Sequence, residues 1–205
     1  TEKEDAIFVL IDMQTKLLPA MSDPQTVERN VIRLIQGMKA LGIPTVVTQQ
    51  YTKGLGPTVP AVAEALGAFE PIDKTSFSCM DEPAFAEALE NSTKGTVILA
   101  GIEAHICVVQ TALDLIREAG GADMSMVIHC FSYEVEMARE YLKMGHFFGI
   151  GGVSTYKNAR KLNKERTILR LAQEGVVITT YESVLYELLG SAKAPEFKAI
   201  SAIVK

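Results

Sequence analysis

Short runs of unbroken apolar residues alternate along the chain with segments whose apolar positions recur every three or four residues. AIFVLID (6–12) is apolar on both faces, the pattern of a parallel strand covered by helices above and below. Val27, Val31, Leu34, Met38 and Leu41 follow at spacings of 4, 3, 4 and 3, which predicts an amphipathic helix ended by Gly42. PTVVTQQ (44–50) reads as the next strand, and YTKGLGPTVPAV (51–62), punctuated by glycine and proline, as a loop. After PIDKTSF a helix is predicted from near Pro83, with Phe85 and Leu89 turned inward. TVILAGI (96–102) is another buried strand, and Ile106, Val109, Leu113 and Ile116 mark one face of the helix behind it.

The alternation continues to the end of the chain. MVIHCF (126–131) reads as a strand, EVEMAREYLKMG (134–145) as a helix, and HFFGIGGVST (146–155) as a strand softened by glycines. A helix over 158–174, a strand VVITT (176–180), a helix ESVLYELLG (182–190) stopped at Gly190, and a short helix or arm in APEFKAISAIVK complete the pattern. Repeated βα units with right-handed crossovers make a parallel sheet. The expected fold class is therefore α/β: a doubly wound parallel sheet, a flavodoxin/Rossmann-like three-layer sandwich, in a single domain over 1–205.

Composition narrows the class without naming a chemistry. The 205 residues are 48% apolar, enough for a sizeable core. Net charge is −5 and no lysine or arginine run occurs, which argues against a nucleic-acid surface. Three cysteines, Cys79, Cys107 and Cys130, form no CxxC or zinc spacing and point to a reducing, cytoplasmic compartment. No leader and no membrane-spanning run is read.

Ligands of open parallel sheets bind beyond the carboxyl ends of the strands, near the point where strand order reverses. Three strand ends here carry reactive groups: Asp12 closes the first strand, Lys74 follows the PID run, and Cys107 opens the helix after TVILAGI. A helix N-terminus and a nearby ammonium both stabilise thiolate, which predicts a lowered cysteine pKa. Asp12 is suited to take the thiol proton and return it to a leaving amine, and backbone N–H groups near Cys107 to bind an oxyanion. The plainer alternative makes Cys107 a small core residue, Asp12 a turn residue and Lys74 a solvated one. His105, His129 and His146 form no HxH or HExxH pattern, and no metal or cofactor is called for.

FVLIDMQ, the lysine of DKTSFS, and GIEAHICV together resemble the isochorismatase-like cysteine hydrolase family, over about 5–122 and 163–205. The resemblance makes Asp12, Lys74 and Cys107 the catalytic set: Cys107 attacks a carbonyl to give an acyl-thioester, Asp12 activates it and then water, and Lys74 supports the thiolate. It also implies a cis peptide at Ile102–Glu103 beside the oxyanion hole, a supporting or pocket role for Gln14, and pocket walls at Tyr51 and Phe77. Metal-binding relatives carry an aspartate and histidines after the second strand, where QQYTKGLG has none, and Ala104 stands where many relatives have threonine.

Residues 127–162, VIHCFSYEVEMAREYLKMGHFFGIGGVSTYKNARKL, resemble a second family, the TatD-type metal-dependent hydrolases, which are TIM barrels. They amount to about one extra βα unit in the sandwich. Both folds use the same right-handed unit, so a barrel fragment can pack in either. The two resemblances imply an engineered chimera, with natural insertion as the alternative. His129 is then a remnant metal ligand, because its barrel partners are absent and divalent ions want three or four ligands. Two functional readings follow. One is a hydrolase of a small amide or related C–N bond, acting on a small molecule as a possible homo-oligomer without nucleic acid or membrane partners. The other is a hybrid made to test fragment recombination, with no selected activity.

Overall fold

The computed structural model describes residues 2–21, 23–118, 127–129, 147–149, 178–179 and 181–204. A parallel sheet organises them. Its strands are β1 (Ala6–Ile11), β2 (Thr45–Gln50), β3 (Ile72–Lys74), β4 (Thr96–Gly101), β5 (Val127–His129), β6 (Phe147–Gly149) and β7 (Ile178–Thr179). The spatial order is β3-β2-β1-β4-β5-β6-β7, and every pairing is parallel. The chain runs outward from β1 to β3, then returns to β4 on the other side of β1. The switch point therefore lies between β1 and β4.

β1 is fully buried because both its faces are covered. Ala6, Phe8 and Leu10 pack with residues of α1 (Pro24–Ala40), α3 (Pro60–Leu66), α6 (Tyr181–Leu189) and α7 (Phe197–Val204). Ile7, Val9 and Ile11 face the opposite layer, with Phe85 of α4 (Pro83–Ser92) and Cys107, Ala112 and Leu115 at and within α5 (Val109–Glu118). That two-sided covering is why the strand carries no alternating polar residue.

Helix boundaries follow local chemistry. Asp23 caps α1 by accepting a hydrogen bond from the Thr26 N–H at 3.0 Å, with Pro24 at the first helical position. Pro60 and Pro83 open α3 and α4 in the same way. The stretch 51–62, expected as a loop, instead holds a one-turn helix α2 (Thr52–Leu55) and the start of α3. Tyr51, left-handed at φ 39, turns the chain out of β2 and starts the first of these. The expected helices over 134–145 and 158–174 lie outside the described residues, as does most of 127–162. Among the described residues, no helix is long and apolar enough to cross a membrane.

Candidate active site

Asp12 follows directly on β1 and is fully buried, with φ 54. Such a conformation costs a non-glycine residue on the order of 1 kcal/mol. It also breaks the strand alternation. A regular continuation would send residue 12 to the face of Phe8 and Leu10, whereas the carboxylate meets Thr48, Lys74 and Cys107 on the face of Ile11. Asp12 Oδ1 accepts a hydrogen bond from Thr48 Oγ1 at 2.8 Å, and Oδ2 lies 2.9 Å from Lys74 Nζ. The latter contact is a buried ion pair in which the Lys74 ammonium acts on Asp12 both as a charge and as a hydrogen-bond donor, and Oδ2 has no other hydrogen-bond partner among the described residues.

Lys74 ends β3, opposite Gln50 of β2 in the register, and its side chain is fully buried. Its Nζ donates to Gln50 Oε1 at 2.6 Å, Ser76 O at 3.2 Å and Phe77 O at 3.3 Å. Burial, the largest single influence, pulls the ammonium's pKa down, but the Asp12 charge and hydrogen bond, with smaller help from the Cys79 and Cys107 sulfurs, together hold Lys74 above the ordinary lysine value. Lys74 is a fixed cation.

Cys107 lies in a single π-helical turn, Ala104–Val108, that leads into α5. The thiol is buried among residues of the second core layer, facing both Asp12 and Lys74. The expected low thiol pKa is corrected here. Burial first, and then the Asp12 charge, push Cys107 up to about 12, against a smaller opposing pull from Lys74. The carboxylate acts on the thiol both as a charge and as a hydrogen-bond acceptor. Near neutral pH that direction favours a thiol beside a carboxylate over a preformed thiolate.

The Ile102–Glu103 peptide bond is cis. Ile102 donates its N–H to Ile11 O at 3.0 Å, which ties the exit of β4 to that of β1 across the switch point. The N–H groups of Ile106 and Val108 both go to Glu103 O, at 3.1 and 3.3 Å, and so are committed to the turn itself. Gln14 is fully buried and works as a strap: it accepts from the Gln50 N–H at 2.7 Å and donates to Gln50 O at 3.0 Å and Gly56 O at 2.6 Å. Tyr51 and Phe77 are half exposed beside Lys74. The Tyr51 N–H donates to Lys74 O at 2.7 Å, and the Phe77 carbonyl accepts from the ammonium.

Sequence reasoning missed Thr48, Gln50, Cys79 and Thr111. Cys79 is a second buried thiol near Lys74 and Asp12, pushed up to about 11 mainly by burial. Its N–H donates to Thr111 Oγ1, which in turn donates to Cys107 O at 2.7 Å. One signal was available: the strand ends in a polar run, Thr48-Gln49-Gln50, whose first and third members share a face. His129 is the last residue of β5. No cluster of three or more His, Cys, Asp or Glu side chains able to hold a metal occurs among the described residues.

Comparison with known proteins follows the same outline. The isochorismatase domain model matches residues 6–127, more than half of the chain. The chain belongs to the isochorismatase domain family. Isochorismatase domain-containing protein 2 of Danio rerio is 34% identical over 200 residues, covering 97% of this chain and 86% of that protein. Isochorismatase domain-containing protein 1 of Salmo salar is also 34% identical, over 97% of this chain, but the chain spans only 60% of that protein's length. Among solved structures, the MAR1 ribonuclease of Caenorhabditis elegans aligns with a TM-score of 0.70 at 28% identity, over 100% of this chain and 91% of that one. The YcaC gene product of Escherichia coli, described as an octameric hydrolase of unknown specificity, shares the fold with a TM-score of 0.71 at 21% identity, over 99% of this chain and 89% of its own. A second model, TatD related DNase, matches 105–177 and overlaps the first over 105–127.

Proposed function

We propose that the chain hydrolyses a small amide or related C–N bond with Cys107 as nucleophile. The observation that carries the reading is the meeting, in one buried cluster beside the sheet's switch point, of a thiol, a carboxylate able to accept its proton, and a cation held fast beside that carboxylate. The raised thiol pKa supports one order of events. Asp12 takes the Cys107 proton as sulfur bonds to the carbonyl carbon, so the nucleophile forms only as it is used. The C–N bond breaks as the same proton passes to the leaving nitrogen, giving a thioester. Water then attacks, again losing a proton to Asp12. The C–S bond breaks and the proton returns to sulfur. Lys74 pairs with the carboxylate and offsets the oxyanion's charge. Tyr51 and Phe77 flank the approach, and the Ile102–Glu103 turn borders the oxyanion position.

The test is a panel of small amides, with product amine as the readout. Turnover should vanish in Cys107→Ser, and mass spectrometry of a slow substrate should find the acyl group on Cys107. Turnover that survives Cys107→Ser would overturn the reading. RNA hydrolysis, the activity in the name of the Caenorhabditis elegans neighbour, gets no support from a net charge of −5 or from a buried thiol.

A second reading rests on the TatD related DNase match across 105–177 and on β5 and β6, which both join the main sheet. We infer on that basis one domain, in which the 127–162 segment supplies two strands. A chimera of two fold fragments with no selected activity would show no turnover with any amide of the panel. Self-association in the cytoplasm is part of the proposal, and light scattering of the purified protein tests the association.

A further inference from the structure

We propose that Thr48 and Gln50 form a positioning clamp that leaves Asp12 Oδ2 as the one oxygen free to carry the reacting proton. The inference rests on the hydrolase reading above and assigns a role to residues outside its catalytic set. β2 lies between β1 and β3 in the sheet, and residues two apart on a strand share a face. Thr48 and Gln50 therefore project toward the same side, one reaching the carboxylate after β1, the other the ammonium at the end of β3. Gln49, between them, goes the other way and donates to Thr58 Oγ1 at 2.9 Å.

The two side chains do complementary things. Thr48 donates to Oδ1 and occupies that oxygen. An ammonium has three N–H bonds, and Lys74 has three carbonyl acceptors in reach: Gln50 Oε1, Ser76 O and Phe77 O. Gln50 makes the shortest of these contacts and is itself fixed, its Nε2 donating to Thr75 O at 2.9 Å and its backbone strapped by Gln14. The positive charge thus sits 2.9 Å from Oδ2 while three carbonyl oxygens compete for its N–H bonds. Lys74 neutralises the carboxylate and leaves Oδ2 a second lone pair to accept from the thiol and later from water.

Alkylation of Cys107 by iodoacetamide, followed by peptide mass spectrometry across pH, reads that proton transfer without a known substrate. Thr48→Val should slow alkylation near neutral pH by about tenfold or more, since small losses of geometry at reacting groups are costly. Thr48→Ser, which keeps the hydroxyl, should restore the rate. Gln50→Leu removes the acceptor that holds the ammonium back, lets Lys74 close onto Oδ2 and should slow alkylation by a similar factor. Folding is checked by circular dichroism, and if Gln50→Leu does not fold, the Thr48→Val and Thr48→Ser pair decides. Folded Thr48→Val and Gln50→Leu proteins with the unmodified rate and profile would overturn the clamp. Asp12→Asn separates the two levels. If it abolishes amine release while the clamp variants leave alkylation unchanged, only the clamp fails. If Asp12→Asn retains amine release, the base role itself fails.

Discussion

Removing the Asp12 charge separates two jobs that a carboxylate beside a thiol can do. Asp12 raises the Cys107 pKa, so in Asp12→Asn the thiol should titrate below the value of about 12, with Lys74 left unopposed. Turnover should nevertheless be lost, because the proton acceptor is gone. Ultraviolet absorbance of the thiolate across pH checks the first part and amine release the second. An unchanged or higher titration midpoint would show that Asp12 is not the group setting it. Lys74→Met asks the converse question. It strands a buried carboxylate, and breaking one half of a buried pair costs about 3–5 kcal/mol, measurable by urea unfolding. The remaining thiol should then titrate higher still, because the one charge that opposed its rise is gone.

At the level of elements, the site depends on how closely β1 and β4 approach. Gly101, the last residue of β4, has φ 147, and a Cβ there would lie 2.1 Å from Ile11 O, a backbone atom that cannot step aside. Gly101→Ala should destabilise the fold by about 3 kcal/mol, at the upper end of ordinary point changes, as read from the urea midpoint. A fall of under about 0.5 kcal/mol would show that the switch point relaxes freely. Gln14→Leu removes three hydrogen bonds and leaves buried backbone groups of Gln50 unpaired, at about 1–3 kcal/mol for each. Limited proteolysis should then cut first between residues 51 and 59.

These elements also show what the sequence made legible. AIFVLID and TVILAGI announced themselves as buried strands because both faces are covered, and the helix expected from near Pro83 is α4, which begins there. Asp12, Lys74 and Cys107 stood out as reactive types at strand ends. Hidden from it was the left-handed turn at Asp12, which decides the face the carboxylate meets and which no side-chain pattern announces. The sign of the Cys107 shift was hidden for a related reason: a dipole and a lysine can be read from order along the chain, but the depth of burial that outweighs them cannot.

For the whole molecule, burying thiols beside a carboxylate ties stability to alkaline pH. Cys79 and Cys107 rise from the ordinary thiol value of 9.0 to about 11 and about 12 on folding. Below pH 9.0 both thiols are protonated in folded and unfolded chains alike, and this contribution is fully present. Above 9.0 the unfolded chain releases its thiol protons first and binds fewer than the folded one, so stability declines as pH rises toward the folded values. The slope is at most about 1.4 kcal/mol per pH unit for each thiol. Tyrosines and lysines titrate in the same range, so the informative quantity is a difference between proteins. Under reducing conditions, the loss in urea midpoint between about pH 8 and about pH 10 should be smaller for the Cys79→Ala/Cys107→Ala protein than for the unmodified chain. Cys130 is present in both and cancels. Equal losses would mean that the thiols ionise as readily folded as unfolded. The buried-thiol chemistry argued for Cys107 would then give way to the preformed thiolate that the helix start and Lys74 alone imply.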